Sequence, residues 1–261
     1  MALITIRVPL LDRVSEFRHN GVVKIRPEAG AALAATSSPD RHTRGAIVQL
    51  LLEDGPITAG DIGERLGISA AGVWLSEDGG ETWRTGYKGL VPLYVPEDEQ
   101  ENTHALCVHN MHRAPQRPER LFLQFHGSVY RSDDTGETWN DIASGLPSGF
   151  GFPLTIDPSD PENAYVIPLT ADVDRVTPEG KVRVFETRDA GGSWIARGRG
   201  LPSDDAYLTI LRQAFGHDGG TPLGLFFGAT SGEVFGSADA GASWYSVHQH
   251  LAPVTSVRVS T

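Results

Sequence analysis

An eleven-residue pattern recurs four times without gaps, as VWLSEDGGETW (73–83), VYRSDDTGETW (129–139), VFETRDAGGSW (184–194) and VFGSADAGASW (234–244). Each copy reads Val, aromatic, any, Ser/Thr, any, Asp, any, Gly, any, Ser/Thr, Trp. Its defining residues are Ser76, Asp78, Gly80 and Trp83 in the first copy and Ser132, Asp134, Gly136 and Trp139 in the second. They are Thr187, Asp189, Gly191 and Trp194 in the third, and Ser237, Asp239, Gly241 and Trp244 in the fourth. The Asp residues lie 56, 55 and 50 positions apart, and a Leu follows each Trp by seven: Leu90, Leu146, Leu201 and Leu251. Four of the five tryptophans fill the last position of a copy, so chance does not explain the pattern. A repeat of this period restricts the chain to stacked units that bury their apolar faces against one another.

One unit reads as a hairpin. Val-aromatic-x-Ser alternates as a strand does. Ser/Thr-x-Asp-x-Gly is a turn, in which the carboxylate can accept backbone N–H bonds and the Gly takes positive φ without steric cost. Ser/Thr-Trp is expected to open the returning strand, with the indole covering apolar surface. Further strand signals lie between the hairpins: THALCVHNMH and RLFLQFHG, PLTIDP and AYVIPLT, YLTILRQAF and LGLFFGAT. Each repeat is then four short antiparallel strands in about 50 residues, as in a β-propeller blade. The expected fold class is mainly β: a partial or small propeller of four-stranded blades, with a small helical N-terminal segment. The expected parts are an irregular stretch 1–40 with extra strands, a helical segment 41–72, a half blade 73–90, and full blades at about 103–146, 150–201 and 205–251. A terminal strand, PVTSVRVS (253–260), is expected to pair with the incomplete first blade as a ring-closing strand does. Propellers close with about four to eight blades, so these make a short or partial ring. An open arc would expose edge strands for self-association.

Charge narrows the partners. The net charge is −11, and residues 1–73 carry eight basic and eight acidic groups, leaving 14 against 25 in residues 74–261. An acidic body of this kind repels phosphate backbones, which weighs against nucleic acid as its partner. The single cysteine, Cys107, excludes an intrachain disulfide and a cysteine-based zinc cage. No apolar run is long enough to span a bilayer, and MALITIRVPLLDR is a poor signal peptide, so the expected location is the cytoplasm.

The Ser-x-Asp-x-Gly-x-Thr-Trp units resemble the Asp-box, or BNR, repeat of sialidase-like and sortilin-like propellers. The stretches CVHNMHRAPQRPERLFLQFHGSVYRSDDTGETW and FGFPLTIDPSDPENAYVIPL resemble, more narrowly, bacterial sialidase-like BNR-repeat proteins, often described as glycosyl hydrolases. The resemblance covers about residues 73–261. It implies a propeller, with the Asp boxes as structural turns between the third and fourth strands of each blade. Residues 41–73 are similar to the helix-turn-helix of bacterial winged-helix regulators: RHTRGAIVQLLLEDG supplies an amphipathic helix, and Thr58 and Ser69 are N-cap candidates. The match stops where DNA contacts would begin, because Gly72-Val73 runs into Trp74-Leu75-Ser76 and not into a basic helical turn. Val73-Trp74-Leu75 is therefore expected as a strand and Ser76–Thr82 as its turn.

For the family's exo-sialidases, the resemblance implies three arginines, a Tyr–Glu nucleophile pair and an acidic acid/base. IRVPLL (6–11) makes Arg7 a candidate first arginine, although it lies outside the repeats. Tyr130, Tyr165 and Glu186 are present without a motif that names them. A second cluster is Cys107-Val-His109-Asn-Met-His112, with His126 on the following strand. Strand alternation puts Cys107, His109 and Met111 on one face and His112 on the other, so no metal site and no cofactor is expected unless a bulge intervenes. The first strand of a blade lines a propeller's channel, which makes His109, Arg113, Gln124 and His126 the candidate binding residues. The function expected is a non-enzymatic binding or scaffolding module for a protein or a small glycan-like ligand. A sialidase-like hydrolase and a DNA-binding regulator are the alternatives.

Overall fold

The structure, a computed structural model, describes residues 2–7, 72–76, 82, 84–100, 106–170 and 174–260. The helix-turn-helix-like segment 41–71, and Asp78, Gly80 and Trp83 of the first hairpin, lie outside the described residues. The fold is mainly β, and three four-stranded antiparallel sheets carry it. The first contains β4 (Val108–Arg113), β5 (Leu121–Phe125), β6 (Val129–Ser132) and β7 (Asn140–Asp141). The second contains β8 (Gly151–Asp157), β9 (Asp160–Pro168), β10 (Val184–Thr187) and β11 (Ile195–Arg197). The third contains β12 (Phe215–His217), β13 (Leu225–Gly228), β14 (Val234–Ser237) and β15 (Tyr245–His248). Before them run β1 (Ala2–Arg7) and the short hairpin of β2 (Trp74–Leu75) and β3 (Arg84–Thr85); after them comes β16 (Val254–Ser260).

The sheets stack like blades. Their first strands lie side by side, β8 packing against β4 and β12, and β12 against β16. Middle strands are covered on both faces and therefore read as nearly continuous apolar runs: LFLQF in β5, broken only by Gln124, is wholly buried, as is LFFG in β13. The fourth strands β7, β11 and β15 sit at the rim and are mostly exposed. Four apolar clusters fill the spaces between neighbours. One joins the β2–β3 hairpin to the first sheet through Val73, Leu90, Leu121 and Trp139. The next joins the first and second sheets through Phe122, Ile142, Leu154 and Phe185. The largest joins the second and third through Ile167, Leu201, Phe227 and Trp244, and the last joins the third to β16 through Phe226, Val254 and Val257.

The repeated hairpin is the turn between third and fourth strands, closed by one clamp in three copies. In the second sheet the Thr187 hydroxyl donates to Asp189 Oδ1 at 2.8 Å and accepts from the Gly191 N–H at 2.7 Å. Asp189 also takes the Ser193 N–H at 2.8 Å and the Ser193 hydroxyl at 2.7 Å. Ser132, Asp134, Gly136 and Thr138 repeat this clamp, as do Ser237, Asp239, Gly241 and Ser243. The residue before each Gly also has positive φ: Thr135 at 63°, Ala190 at 54° and Ala240 at 55°. The Trp does not open the returning strand, which starts one residue later. Its ring instead reaches the preceding unit: the Trp139 indole N–H donates to the Gly86 carbonyl at 2.9 Å and that of Trp194 to the Ile142 carbonyl at 2.6 Å. In these two copies the Trp is thus a hydrogen-bonded clasp between blades; the Trp244 ring packs into the same kind of joint, but its indole N–H is buried without an acceptor.

Val73-Trp74-Leu75 does run extended, with β2 at Trp74–Leu75, the Val73 carbonyl accepting the Gly86 N–H at 2.9 Å, and Gly72 at φ 77° before it. The terminal strand β16 does not pair with β2. It continues the succession of first strands beyond β12, bridging Gln213 to Ser256 in parallel, and takes β1 as its parallel ladder partner from Ala2↔Val254 to Arg7↔Ser260. Like neighbouring first strands it runs parallel to β12, and so stands one blade-step beyond it.

Candidate functional site

The first strands converge at the inner edge of the stack. β4 carries a bulge between Val108 and Asn110, where the register against β5 slips. The bulge turns His109 toward the second sheet, where its Nδ1 donates to the Gly151 carbonyl of β8 at 2.6 Å. That bond leaves Nε2 as the lone-pair nitrogen. Nε2 faces Nδ1 of His126 at 3.2 Å. Asn110, one residue on, joins all three sheets: its side-chain NH2 donates to the Leu154 carbonyl at 3.3 Å and to the Arg212 carbonyl, just before β12, at 3.1 Å.

Aromatic rings and cations surround this pair of imidazoles. The Phe152 ring lies 4.7 Å from His109 and the Phe150 ring 5.1 Å from His126, centroid to centroid. Tyr94 lies 4.2 Å from His126, and its hydroxyl accepts the Cys107 N–H at 3.1 Å. The guanidinium of Arg212 sits 4.9 Å over Phe152 and that of Arg175 sits 5.6 Å over the same ring. Arg175 holds φ 49°, a conformation that costs a non-glycine residue energy. Burial pushes the His109 imidazole down to about 3, and the charges of Arg212, His126 and Arg175 push the same way against the Gly151 hydrogen bond. His109 is therefore neutral at physiological pH and presents an acceptor nitrogen. The group combines two cations, an aromatic floor and a neutral imidazole, a set suited to an anion on an apolar frame.

The four candidate binding residues separate into two kinds. His109 and His126 belong to this cluster. Gln124 is buried on β5, but its side-chain NH2 donates to the carbonyls of Phe125 and Gly149, each at 2.9 Å, so it ties down the 125–149 connection. Arg113 ends β4 opposite Leu121, four residues past His109, and is exposed. Arg7 ends β1 opposite Ser260. Tyr165 and Glu186 do meet, the phenol donating to Oε1 at 3.4 Å. Glu186 is fully buried, and its two oxygens also receive Arg188 at 2.7 Å and Arg197 at 2.6 Å. Sequence reasoning missed Phe152, Arg175 and Arg212. The channel-lining argument, applied to the first strand of every repeat, points to Phe152 on β8 and to Arg212 at the entry to β12; Arg175 carries no such signal.

No protein-family model and no curated protein matches the chain. Among solved structures it is similar to the GH74 enzyme of Niastella koreensis, at 17% identity over 69% of this chain and 27% of that one, with a TM-score of 0.47. It is similar to the GH74 xyloglucanase of Xanthomonas campestris, at 17% identity over 69% of this chain and 28% of that one, with a TM-score of 0.46. YCF48 from Cyanidioschyzon merolae gives 16% identity over 55% and 40% of the two chains, with a TM-score of 0.36. The chain spans roughly a quarter of the length of the two GH74 enzymes.

Proposed function

We propose that this is a non-enzymatic Asp-box repeat protein that binds a small carboxylate-bearing, glycan-like ligand at the inner edge of its blades. The observation that carries the reading is the meeting of two guanidiniums, Arg175 and Arg212, on the one Phe152 ring beside His109. Guanidinium forks recognise carboxylates in pairs of hydrogen bonds, and the buried Phe152 ring beneath them holds the two forks together. The cluster is basic within a chain of net charge −11, so it stands apart from the rest of the surface. Among the described residues, β1 and the β2–β3 hairpin each pair on one side only, and in the same reading these edges offer surfaces for self-association.

Calorimetric titration with N-acetylneuraminate and glucuronate, against the neutral sugars galactose and glucose, tests this. The acidic sugars bind and the neutral ones do not; Arg212→Gln weakens binding by about tenfold or more, the cost of one charged hydrogen-bond pair. Equal binding of neutral and acidic sugars, or binding indifferent to Arg212→Gln and Arg175→Gln, would sink the reading. A second reading, a sialidase-like hydrolase, draws on the Tyr165–Glu186 contact, the residue types of a Tyr–Glu nucleophile pair. Against it stands the saturation of Glu186 by Arg188 and Arg197 inside the second sheet, where a glycosidic carbon has no approach. Turnover of a fluorogenic sialoside that Glu186→Gln abolishes would favour the hydrolase. A regulator that binds DNA draws only on the segment similar to a helix-turn-helix.

A further inference from the structure

We infer that Cys107, His109 and His126 form a three-ligand site for a single zinc-class transition-metal ion, with a fourth coordination position open. The inference goes beyond the anion-binding reading and does not depend on it. One ligand atom from each residue lies within 4.8 Å of the other two. The two imidazole nitrogens that face each other, His109 Nε2 and His126 Nδ1, are 3.2 Å apart. Zinc–nitrogen bonds of about 2.0–2.1 Å at a tetrahedral angle hold two nitrogens about 3.3–3.4 Å apart, so this spacing needs almost no adjustment. A zinc–sulfur bond of about 2.3 Å asks the sulfur to stand about 3.6 Å from each nitrogen, so from separations of up to 4.8 Å the half-buried Cys107 side chain closes by about 1.2 Å at most.

The orientation of His109 is already that of a ligand. Its Nδ1–H is committed to the Gly151 carbonyl at 2.6 Å, which fixes the tautomer and aims the Nε2 lone pair at the shared point. Metal-binding histidines almost always have such an outer partner, and it raises their basicity. The strand expectation against a metal took His112 as the partner of His109. The bulge at Val108–Asn110 and the position of His126 opposite Cys107, its N–H donating to the Cys107 carbonyl at 3.0 Å, bring in a different histidine. One sulfur and two imidazoles are a borderline-soft set, suited to zinc and unsuited to calcium or magnesium. Binding replaces the thiol proton of Cys107 and shifts the His126 hydrogen from Nδ1 to Nε2, so one proton leaves per ion bound. Arg175 and Arg212 are the charged groups that face the cluster. Their repulsion of the cation is offset by the thiolate, and they favour an anion or hydroxide at the open position.

Cobalt(II) titration of the tag-free, chelator-treated chain tests the site, with zinc displacing the cobalt. One equivalent binds, giving tetrahedral visible bands and a near-ultraviolet thiolate-to-cobalt band; zinc bleaches both. Cys107→Ser removes the thiolate band and weakens zinc binding by about 100-fold or more in competition with a chromophoric chelator, whereas His112→Gln changes neither. His126→Gln, which keeps Cys107, retains some thiolate character and loses affinity. Circular dichroism of each variant guards against misfolding. Absence of stoichiometric binding by the wild-type chain, or a wild-type spectrum that lacks the thiolate band, overturns the inference. Binding that survives both Cys107→Ser and His126→Gln overturns it equally. Repeating the sugar titrations in excess chelator keeps the failure of this site distinct from failure of the anion-binding reading.

Discussion

At Gly200 the backbone takes φ 88°, and a Cβ there would stand 2.1 Å from the carbonyl oxygen of Trp244. Gly89 is its counterpart two units earlier, with φ 95° and a Cβ that would stand 2.3 Å from the Trp139 carbonyl. Both precede the Leu that follows each repeated Trp, and both let the next blade's Trp segment approach. Gly145 occupies the equivalent position with φ 93° and open space around its Cβ, and in the last copy His250 holds φ 61°. The pair Gly145 and Gly200 therefore separates two costs. Gly145→Ala pays for the left-handed backbone alone, about 1–2 kcal/mol. Gly200→Ala adds a clash with main chain that cannot move without opening the joint between blades, for a total of about 3–4 kcal/mol. Urea unfolding of the two variants checks this: the midpoint drops more for Gly200→Ala, with the slope unchanged in both. Equal losses would mean that the close approach at Trp244 relaxes freely.

The acidic hairpin shapes the chain's response to pH below about 4. The Asp189 carboxyl is held below the usual carboxylate range by the Ser193 hydroxyl and N–H and by the Thr187 hydroxyl. Asp134 and Asp239 are lowered as well, burial working against their Thr138 and Ser243 hydrogen bonds and losing to them. A depressed carboxyl leaves the unfolded chain with more bound protons in acid. Its contribution is complete above the unfolded value of about 3.9 and is lost as pH falls through the folded one. Burial lowers the His109 imidazole to about 3, so the unfolded chain already binds more protons below about 6.5; stability measured by urea unfolding should begin to fall there and fall more steeply below about 4, where the clamps add to it. A triple variant, Asp134→Asn, Asp189→Asn and Asp239→Asn, should show a shallower fall below about 4, the remainder coming from His109 and His217, which burial lowers, and from Asp133, Glu137 and Glu179, whose ion pairs also lower them. An unchanged slope would show that the clamps do not couple to folding. The clamp was legible in the repeat because Ser, Asp and Gly each state their role in a turn. The left-handed Thr135, Ala190 and Ala240 were not, since neither Thr nor Ala prefers that conformation; the clamp imposes it. The Trp clasp was hidden for a related reason, as a ring's partner on another unit leaves no mark at its own position.

At the scale of the molecule, each sheet touches its neighbours and the apolar clusters lie between sheets, so the order of blades in space is their order in sequence. This was readable from the repeat alone. The inner-edge cluster was readable only in part, because its members come from β4, from the turn after β5, from β8, from the entry to β12 and from the loop before Pro178, and a pattern within one repeat cannot show what several repeats bring together. A nearest-neighbour architecture also fixes how damage spreads. Phe227 is fully buried in the cluster between second and third sheets, with ring contacts to Phe215, Phe235 and Trp244 at 6.2, 5.1 and 5.2 Å. Phe227→Ala should cost about 3–5 kcal/mol by emptying that joint. If the sheets couple only through adjacent clusters, amide exchange in β8–β15 should accelerate strongly. Exchange in β4–β7, held on one side by the Trp139 clasp and on the other by the Phe122–Phe185 cluster, should change much less. Hydrogen exchange read by mass spectrometry resolves the two regions. A uniform acceleration across all three sheets would instead mean that the blades unfold as one cooperative unit, and that the inner-edge contacts of Asn110 with Leu154 and Arg212 bind the three sheets more tightly than the joints between their faces.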